Sequence, residues 1–290
     1  MKWVRSIEDE LLWTHSARLG RVPVLRPMMS RRMHVKGWRK LASSPATSAG
    51  TPTSVRVNAA LASVGGDRYL EIGLEAGLTL ESVRAQAVVG VDPKHRVNLF
   101  DLPPHIEIHT MGSDDFFRKC FDDARGPTTD FDVVFVDGLH TFEQSYRDVV
   151  NSFGVLSDGG LVIVDDTVPS SSFAAIPDQK ESKRARKQHG VLETDWMGDV
   201  FRTILALHRF HPDIAIATVV DDEHRGQTFL WRVSRREHPK QGLVPASRDD
   251  LQELHEISFE TVFGSGIPAA FNRTTLDEAL AAHRRANALP

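Results

Sequence analysis

Residues 68–83 read RYLEIGLEAGLTLESV. Apolar residues run into Glu71, Gly73 and Gly77 follow four apart, and Thr79 opens a segment predicted as a helix over 79–86. Glycine has no β-carbon, so it lets the chain turn sharply and lets a ligand approach the backbone. Strand, glycine loop and helix in that order are the start of an open α/β sheet, whose ligands bind outside the carboxyl ends of the strands. The pattern repeats outward. Further strands are predicted at 88–92, 106–111, 132–137, 161–165, 214–220 and 228–233, with helices at 114–123, 142–153 and 200–210. Ser113 and Asp199 stand where N-caps belong. Strands alternating with helices predict a parallel, doubly wound sheet. The last two strands are joined by DDEHRGQ (221–227), too short for a crossover helix, so they must be antiparallel.

Outside this region the composition changes. Residues 43–54, SSPATSAGTPTS, have nothing large to bury and read as a linker. Before them, residues 1–40 hold ten Lys/Arg against three Asp/Glu, although the whole chain has a net charge of −4. Val4, Ile7, Leu11 and Leu12 fall at helical spacing within this basic arm. Such an arm suits either an anionic partner or packing against the acidic remainder of the chain or a second subunit. Three units follow: a basic arm and linker over 1–54, an α/β domain over 55–235, and a C-terminal helical extension over 236–290. The extension is predicted helical at 248–255 and 276–286, to cap the core or to make a homo-oligomer contact. Residues 178–190, DQKESKRARKQHG, are almost wholly polar and read as a lid or surface loop above the carboxyl edge. One cysteine, Cys120, excludes an internal disulfide and a cysteine-based zinc site. No apolar run approaches the ~20 residues that span a bilayer. The expected setting is cytoplasmic, with no membrane partner.

The glycine loop also indicates the ligand. Asp92 ends the second strand 21 positions after Glu71, where a carboxylate can accept hydrogen bonds from both ribose hydroxyls. A dinucleotide site would place glycine two residues after Gly73, to make room for pyrophosphate. Glu75 stands there instead, which argues against that class. S-adenosylmethionine contains a nucleoside, lacks phosphate and carries a sulfonium cation, so it fits these residues. Ser113 or Asp114, after the third strand, is expected to reach the adenine amino group. The same two residues also suit an ordinary helix start.

Two later strands end abruptly in acids: FDVVFVDGLH (131–140) at Asp137, and LVIVDDT (161–167) at Asp165 and Asp166. Adjacent strands would bring all three to one edge, where like charges repel unless a cation or proton intervenes. Oxygen ligands of this kind suit Mg²⁺ or another hard divalent cation. His140 lies three residues beyond Asp137 and is placed to take a proton from a substrate hydroxyl. A structural or metal-ligand role for it stays open. Trp196 is a candidate pocket wall.

Residues 55–233 resemble the class I S-adenosylmethionine-dependent methyltransferases, in particular methyltransferase family 24. The resemblance rests on Tyr69–Gly73, on the VDGLHTFE run Val136–Glu143, on Asp158–Asp166 and on the GDVF run Gly198–Phe201. It implies a Rossmann-like seven-stranded methyltransferase sheet, mostly parallel with a C-terminal antiparallel hairpin, and S-adenosylmethionine as methyl donor. There is a looser similarity to catechol-type metal-dependent O-methyltransferases. Their metal acids match Asp137, Asp165 and Asp166, with Asp166 in place of an asparagine, and their lysine base falls near His140.

The expected cofactor contacts are Glu71, Gly73, Gly77, Thr79, Asp92, Ser113, Asp114 and Asp137. The expected metal ligands are Asp137, Asp165 and Asp166, and the expected catalytic pair is His140 with Asp137. The reaction these residues suggest is O-methylation of a small hydroxylated metabolite such as a sugar, polyketide or phenolic. Rival readings are transfer to nitrogen or carbon, and a non-catalytic protein that binds the cofactor. A nucleic-acid substrate is disfavoured, because VDGLH stands where such enzymes carry an N/D-P-P-Y-type tetrapeptide.

Overall fold

The sheet is built from strands that bury both faces. In the computed structural model, residues 51–122, 130–220, 226–233 and 242–288 are described. The basic arm with its predicted helix, most of the linker, and 221–225 within the hairpin turn lie outside these residues. The elements run α1 (Pro52–Val64), β1 (Arg68–Ile72), β2 (Ala87–Val91), β3 (Ile106–His109), α2 (Ser113–Asp122), β4 (Phe131–Val136), α3 (Phe142–Val155) and β5 (Leu156–Val168). They continue with α4 (Gln179–Gln188), α5 (Phe201–Phe210), β6 (Ile214–Val220), β7 (Gly226–Arg232), α6 (Arg248–His255), α7 (Phe259–Phe263), β8 (Arg273–Thr274) and α8 (Leu276–Asn287).

Strand order is β3-β2-β1-β4-β5-β7-β6-β8. β1 to β5 pair in parallel, and β7 lies antiparallel to both β5 and β6, as the short connection requires. The predicted seven strands are present with an eighth, β8, which adds two residues parallel to β6. Two residues are too few to leave a period in the sequence. Strand order reverses at β1, so a ligand crevice is expected between the carboxyl ends of β1 and β4.

Alternate residues feed two core layers. Leu70, Ile72, Val134, Val136, Val162 and Val164 pack under α2, α3 and α5. Tyr69, Val133, Phe135, Leu161, Ile163 and Phe229 pack against α1 and α8. The C-terminal extension is part of both layers: Leu254 and Phe271 join the first, Ala279 and Leu280 the second.

Four local expectations are corrected. The helix predicted from Thr79 is a single 3-10 turn, Leu80–Ser82. Tertiary partners satisfy the following backbone instead: Ser82 O accepts from Asn58 Nδ2, Arg84 N donates to Asn58 Oδ1, and Gln86 N donates to Asp67 O. The loop predicted at 178–190 contains helix α4, whose N-cap Asp178 accepts from Glu181 N at 2.7 Å. α1 begins inside the predicted linker, at Pro52, capped by Thr51 Oγ1 accepting from Ser54 N at 3.0 Å. Asp199 does not cap α5. It accepts at 2.8 Å from Phe142 N, at the start of α3.

Candidate active site

The crevice is closed at its floor by backbone. Gly73 has φ +88° and donates to Val91 O at 2.9 Å, while Asp137 N donates to Ile72 O at 2.8 Å. A Cβ on Gly73 would collide with the Asp137 carbonyl, so only glycine lets the ends of β1 and β4 meet this closely. Gly77, at φ +75°, packs against the Val97 side chain. Glu75 lies between them with φ +45°, a backbone region non-glycine residues seldom adopt. Its carboxylate is exposed and pairs with Arg96. The charge taken in the sequence as an obstacle to pyrophosphate is thus partly offset.

Asp92 does something the sequence did not indicate. Its Oδ2 accepts from Leu74 N at 2.9 Å and Glu75 N at 3.2 Å, and its Oδ1 from Lys94 N at 2.6 Å. It holds the glycine loop in place. A carboxylate has about four acceptor positions, so roughly one is left for a ribose hydroxyl. Thr79 precedes the 3-10 turn and makes no side-chain cap. Glu71 is 3% exposed and accepts a 2.8 Å hydrogen bond from the Tyr69 hydroxyl. Burial raises its pKa to about 8, and the nearby charges of Asp137 and Asp165 add to this.

Beyond β3, a Cβ on Gly112 would meet nothing within 4 Å, so this strand end faces open space. Ser113 is the first residue of α2, one place later than a cap. Ser113 Oγ, Asp114 Oδ1 and Asp148 Oδ1 are gathered around the Gln144 amide at 3.0–3.2 Å. Neither Gln144 nor Asp148 was legible as part of the site. Asp148 is 1% exposed, its Oδ2 has no partner, and burial pushes its pKa up to about 7. The glycine floor, the Asp92 loop clamp and the open end of β3 together fit a nucleoside cofactor lying across β1–β3.

The acids at the other side of the crevice are not equivalent. Asp166 has φ +58°, which turns its side chain toward His140. His140 Nδ1 lies 2.9 Å from Asp166 Oδ2 and 3.2 Å from Trp196 O, and Nε2 lies 3.3 Å from Asp137 Oδ1. Burial opposes the charged imidazole, but the hydrogen bonds and charges of Asp137 and Asp166 outweigh it and raise the His140 pKa well above its usual value. Asp137, His140 and Asp166 each offer a ligand atom within 4.8 Å of the others. Two carboxylates and an imidazole are a donor set that suits a divalent cation.

Asp165, expected as a ligand, is directed elsewhere. Its Oδ1 accepts from Asp166 N at 2.9 Å and its Oδ2 from Gln227 Nε2 at 3.2 Å. Burial, then the charges of Asp137 and Asp166, raise its pKa well above the carboxylate range. The same Gln227 amide donates to Thr53 Oγ1, and its carbonyl accepts from Arg56 Nη1, so Asp165 is tied to the first turns of α1.

The 196–199 segment positions His140. The Trp196 ring stacks on the imidazole at 4.7 Å and 16°, and Trp196 Nε1 donates to Ile176 O at 2.8 Å. Gly198, at φ +61°, lies against the His140 carbonyl, which a Cβ would overlap. Asp199 accepts from Phe142 N and pairs with Arg202. Gly-Asp was visible in the sequence, but its contact with a loop 57 residues away was not.

A sheet in the order 3-2-1-4-5-7-6 with a glycine floor at its switch point defines the class I S-adenosylmethionine-dependent methyltransferase fold. Residues 70–167, from β1 into β5, match a family model described as a methyltransferase domain, that of methyltransferase family 24. No curated protein matches the chain. Among solved structures it is similar to the O-methyltransferase from Bacillus cereus in complex with SAH, at 16% identity and TM-score 0.42 over 71% of this chain and 92% of that one. It is similar to the O-methyltransferase TomG from Streptomyces achromogenes, involved in tomaymycin synthesis and in complex with SAM, at 15% identity and TM-score 0.42 over 72% and 92%. It is also similar to the SAH-bound methyltransferase PaMTH1 from Podospora anserina, at 12% identity and TM-score 0.43 over 74% and 99%. No helix among the described residues is long and apolar enough to cross a membrane.

Proposed function

We propose that the protein transfers the methyl group of S-adenosylmethionine to a hydroxyl of a small hydroxylated metabolite, at the centre formed by Asp137, His140 and Asp166. The observation that carries the reading is the double restraint on His140. Nδ1 is held between Asp166 and Trp196 O, so Nε2 faces the Asp137 side of the crevice. Because the His140 pKa is raised, the imidazole acts as a base once pH passes above the usual histidine range. Nε2 then accepts the acceptor's hydroxyl proton while the oxygen forms a bond to the methyl carbon. The carbon–sulfur bond breaks, and the sulfonium becomes a neutral thioether. Methyl transfer is an in-line displacement, so alignment of the two reactants carries much of the rate.

Asp137 and Asp166 are the residues that would hold a divalent cation, with the imidazole in reach as a further donor. Such an ion, when bound, lowers the pKa of a hydroxyl oxygen. Asp165, engaged by Gln227 and by Asp166 N, is left out of that set.

The test pairs calorimetry against S-adenosylhomocysteine with methyl transfer from labelled S-adenosylmethionine to a panel of phenolic, sugar and polyketide hydroxyls. His140→Gln should bind S-adenosylhomocysteine like the parent and lose about 10²–10⁴-fold in transfer. Failure of the parent to bind S-adenosylhomocysteine would overturn the reading. Full, chelator-insensitive transfer by Asp166→Ala would remove the cation from it.

A further inference from the structure

The basic segment before Trp196 is a helix held against the chain that follows it. Within α4, Ser182 Oγ donates to Phe173 O at 2.7 Å. Arg186, only 7% exposed, donates from Nη1 to Glu193 O at 3.2 Å and Asp195 O at 2.5 Å. These bonds fasten α4 to the strand of chain that ends in Trp196, against His140. At about 100° per residue, Ser182 and Arg186 face the body, and Lys180, Lys183, Arg184 and Lys187 fan over the other side, all exposed. Their spacing is i, i+3, i+4, i+7, one continuous stripe about 10 Å long. Among the described residues none of the four forms an ion pair.

Like charges at these spacings weaken a helix, and of the four only Lys187, in the last turn, is favoured by the helix dipole. The surroundings make the stripe conspicuous. Outside residues 1–40 and 178–190, the chain carries twenty Lys/Arg against thirty-four Asp/Glu. We propose that the exposed face of α4 is a docking surface for an acidic helical segment of a partner protein, seated beside the acceptor side of the crevice. Carboxylates at i, i+4 on a partner helix repeat every ~6 Å, which matches the cation spacing along α4. An extended polyanion is the poorer fit. A nucleic acid or anionic bilayer would bring its charge lattice against the acidic body as well as the stripe, whereas a short acidic segment meets the stripe alone.

The measurement needs no turnover, so it stands or falls independently of the methyl-transfer reading. A labelled Ala/Glu helical peptide of about 20 residues, with glutamates at i, i+4, is titrated against the full chain by fluorescence anisotropy. The comparison variants are K180Q/K183Q/R184Q/K187Q, which keeps helix propensity, and the corresponding four-glutamate charge reversal. Binding should weaken about tenfold or more in the neutral variant and further in the reversed one, and should fall steeply as salt rises from about 50 to 300 mM. Amides of 179–188 should gain hydrogen-exchange protection when the peptide is added. Unchanged far-UV circular dichroism and an unchanged thermal-unfolding midpoint would confirm that both variants are folded. Equal peptide binding by all three proteins, or protection confined to residues 1–40, would assign the interaction to the basic arm and overturn the proposal. Tighter α4-dependent binding to phosphatidylserine vesicles or duplex DNA than to the peptide would overturn the protein partner.

Discussion

Replacing Glu71 with glutamine tests whether the carboxyl at the end of β1 is held as a neutral acid. The side chain is 3% exposed and its pKa is raised from 4.5 to about 8, first by burial and then by the charges of Asp137 and Asp165, against the Tyr69 hydrogen bond. Between those two values the folded chain holds a proton that the unfolded chain has released. Stability from this group is therefore complete below pH 4.5 and is lost as pH rises toward 8. The slope is about 1.4 kcal/mol per pH unit, so wild type should lose about 3 kcal/mol from this group between about pH 5.5 and 7.5. Glutamine does not titrate. Its carbonyl keeps the bond from the Tyr69 hydroxyl, while its amide hydrogens go unmet at a pH-independent cost of about 1–3 kcal/mol. The informative quantity is thus the slope and not the level. Urea unfolding followed by tryptophan fluorescence at several pH values measures it. The stability of E71Q relative to wild type should rise by about 3 kcal/mol across that range. Parallel pH profiles for the two proteins would refute the argument, since they require Glu71 to be ionised in the folded state.

Gly73→Ala should force β1 and β4 apart at the switch point and weaken S-adenosylhomocysteine binding about tenfold or more by calorimetry, with about 1–3 kcal/mol of lost stability. Unaltered affinity would show that the floor does not shape the cofactor site. Gly198→Ala should push on the His140 carbonyl, lowering kcat while S-adenosylhomocysteine affinity stays constant; loss of both together would mean general unfolding. Gln227→Leu strips donors from Asp165 and Thr53 and should cost about 1–3 kcal/mol in thermal unfolding. Gln227→Glu should cost more, because it sets a second carboxylate beside Asp165, and the reverse order of the two melting temperatures would contradict the network.

The sequence carries some of these features and hides others for physical reasons. β1 and β6 are legible to the residue, because a short apolar run bounded by Asp67 or Pro212 and by polar residues has few alternative uses. The site's edge is legible for the same cause, although only Asp137 stands where a buried strand runs out. Asp165 and Asp166 lie near the carboxyl end of β5, which continues to Val168. The helix expected from Thr79 fails because Asn58 and Asp67, distant in sequence, take the backbone groups a helix would have used. α4 is hidden by its lack of any apolar face, though the Asp178–Glu181 cap was there to be read.

The tandem acids show where reading by pattern stops. Alternation along β5 predicts that Asp165 shares a face with Ile163 and Leu161, toward α1, and that is where Gln227 meets it. The same alternation would send Asp166 toward the opposite layer. A left-handed residue interrupts it instead, and the register with β7 shifts between Val164 and Val168. Asp166 thereby reaches the 2.9 Å contact with His140. Aspartate tolerates that backbone better than most residues, and the cost, of order 1–3 kcal/mol, persists only where surroundings over-determine it. Here they do: Asp165 Oδ1 accepts from Asp166 N and fixes the kink from one side, while His140 and Trp196 fix it from the other. The first acid of the pair thus positions the second. A variant that removes the Asp165 carboxylate should disturb the centre even though Asp165 itself stays outside it.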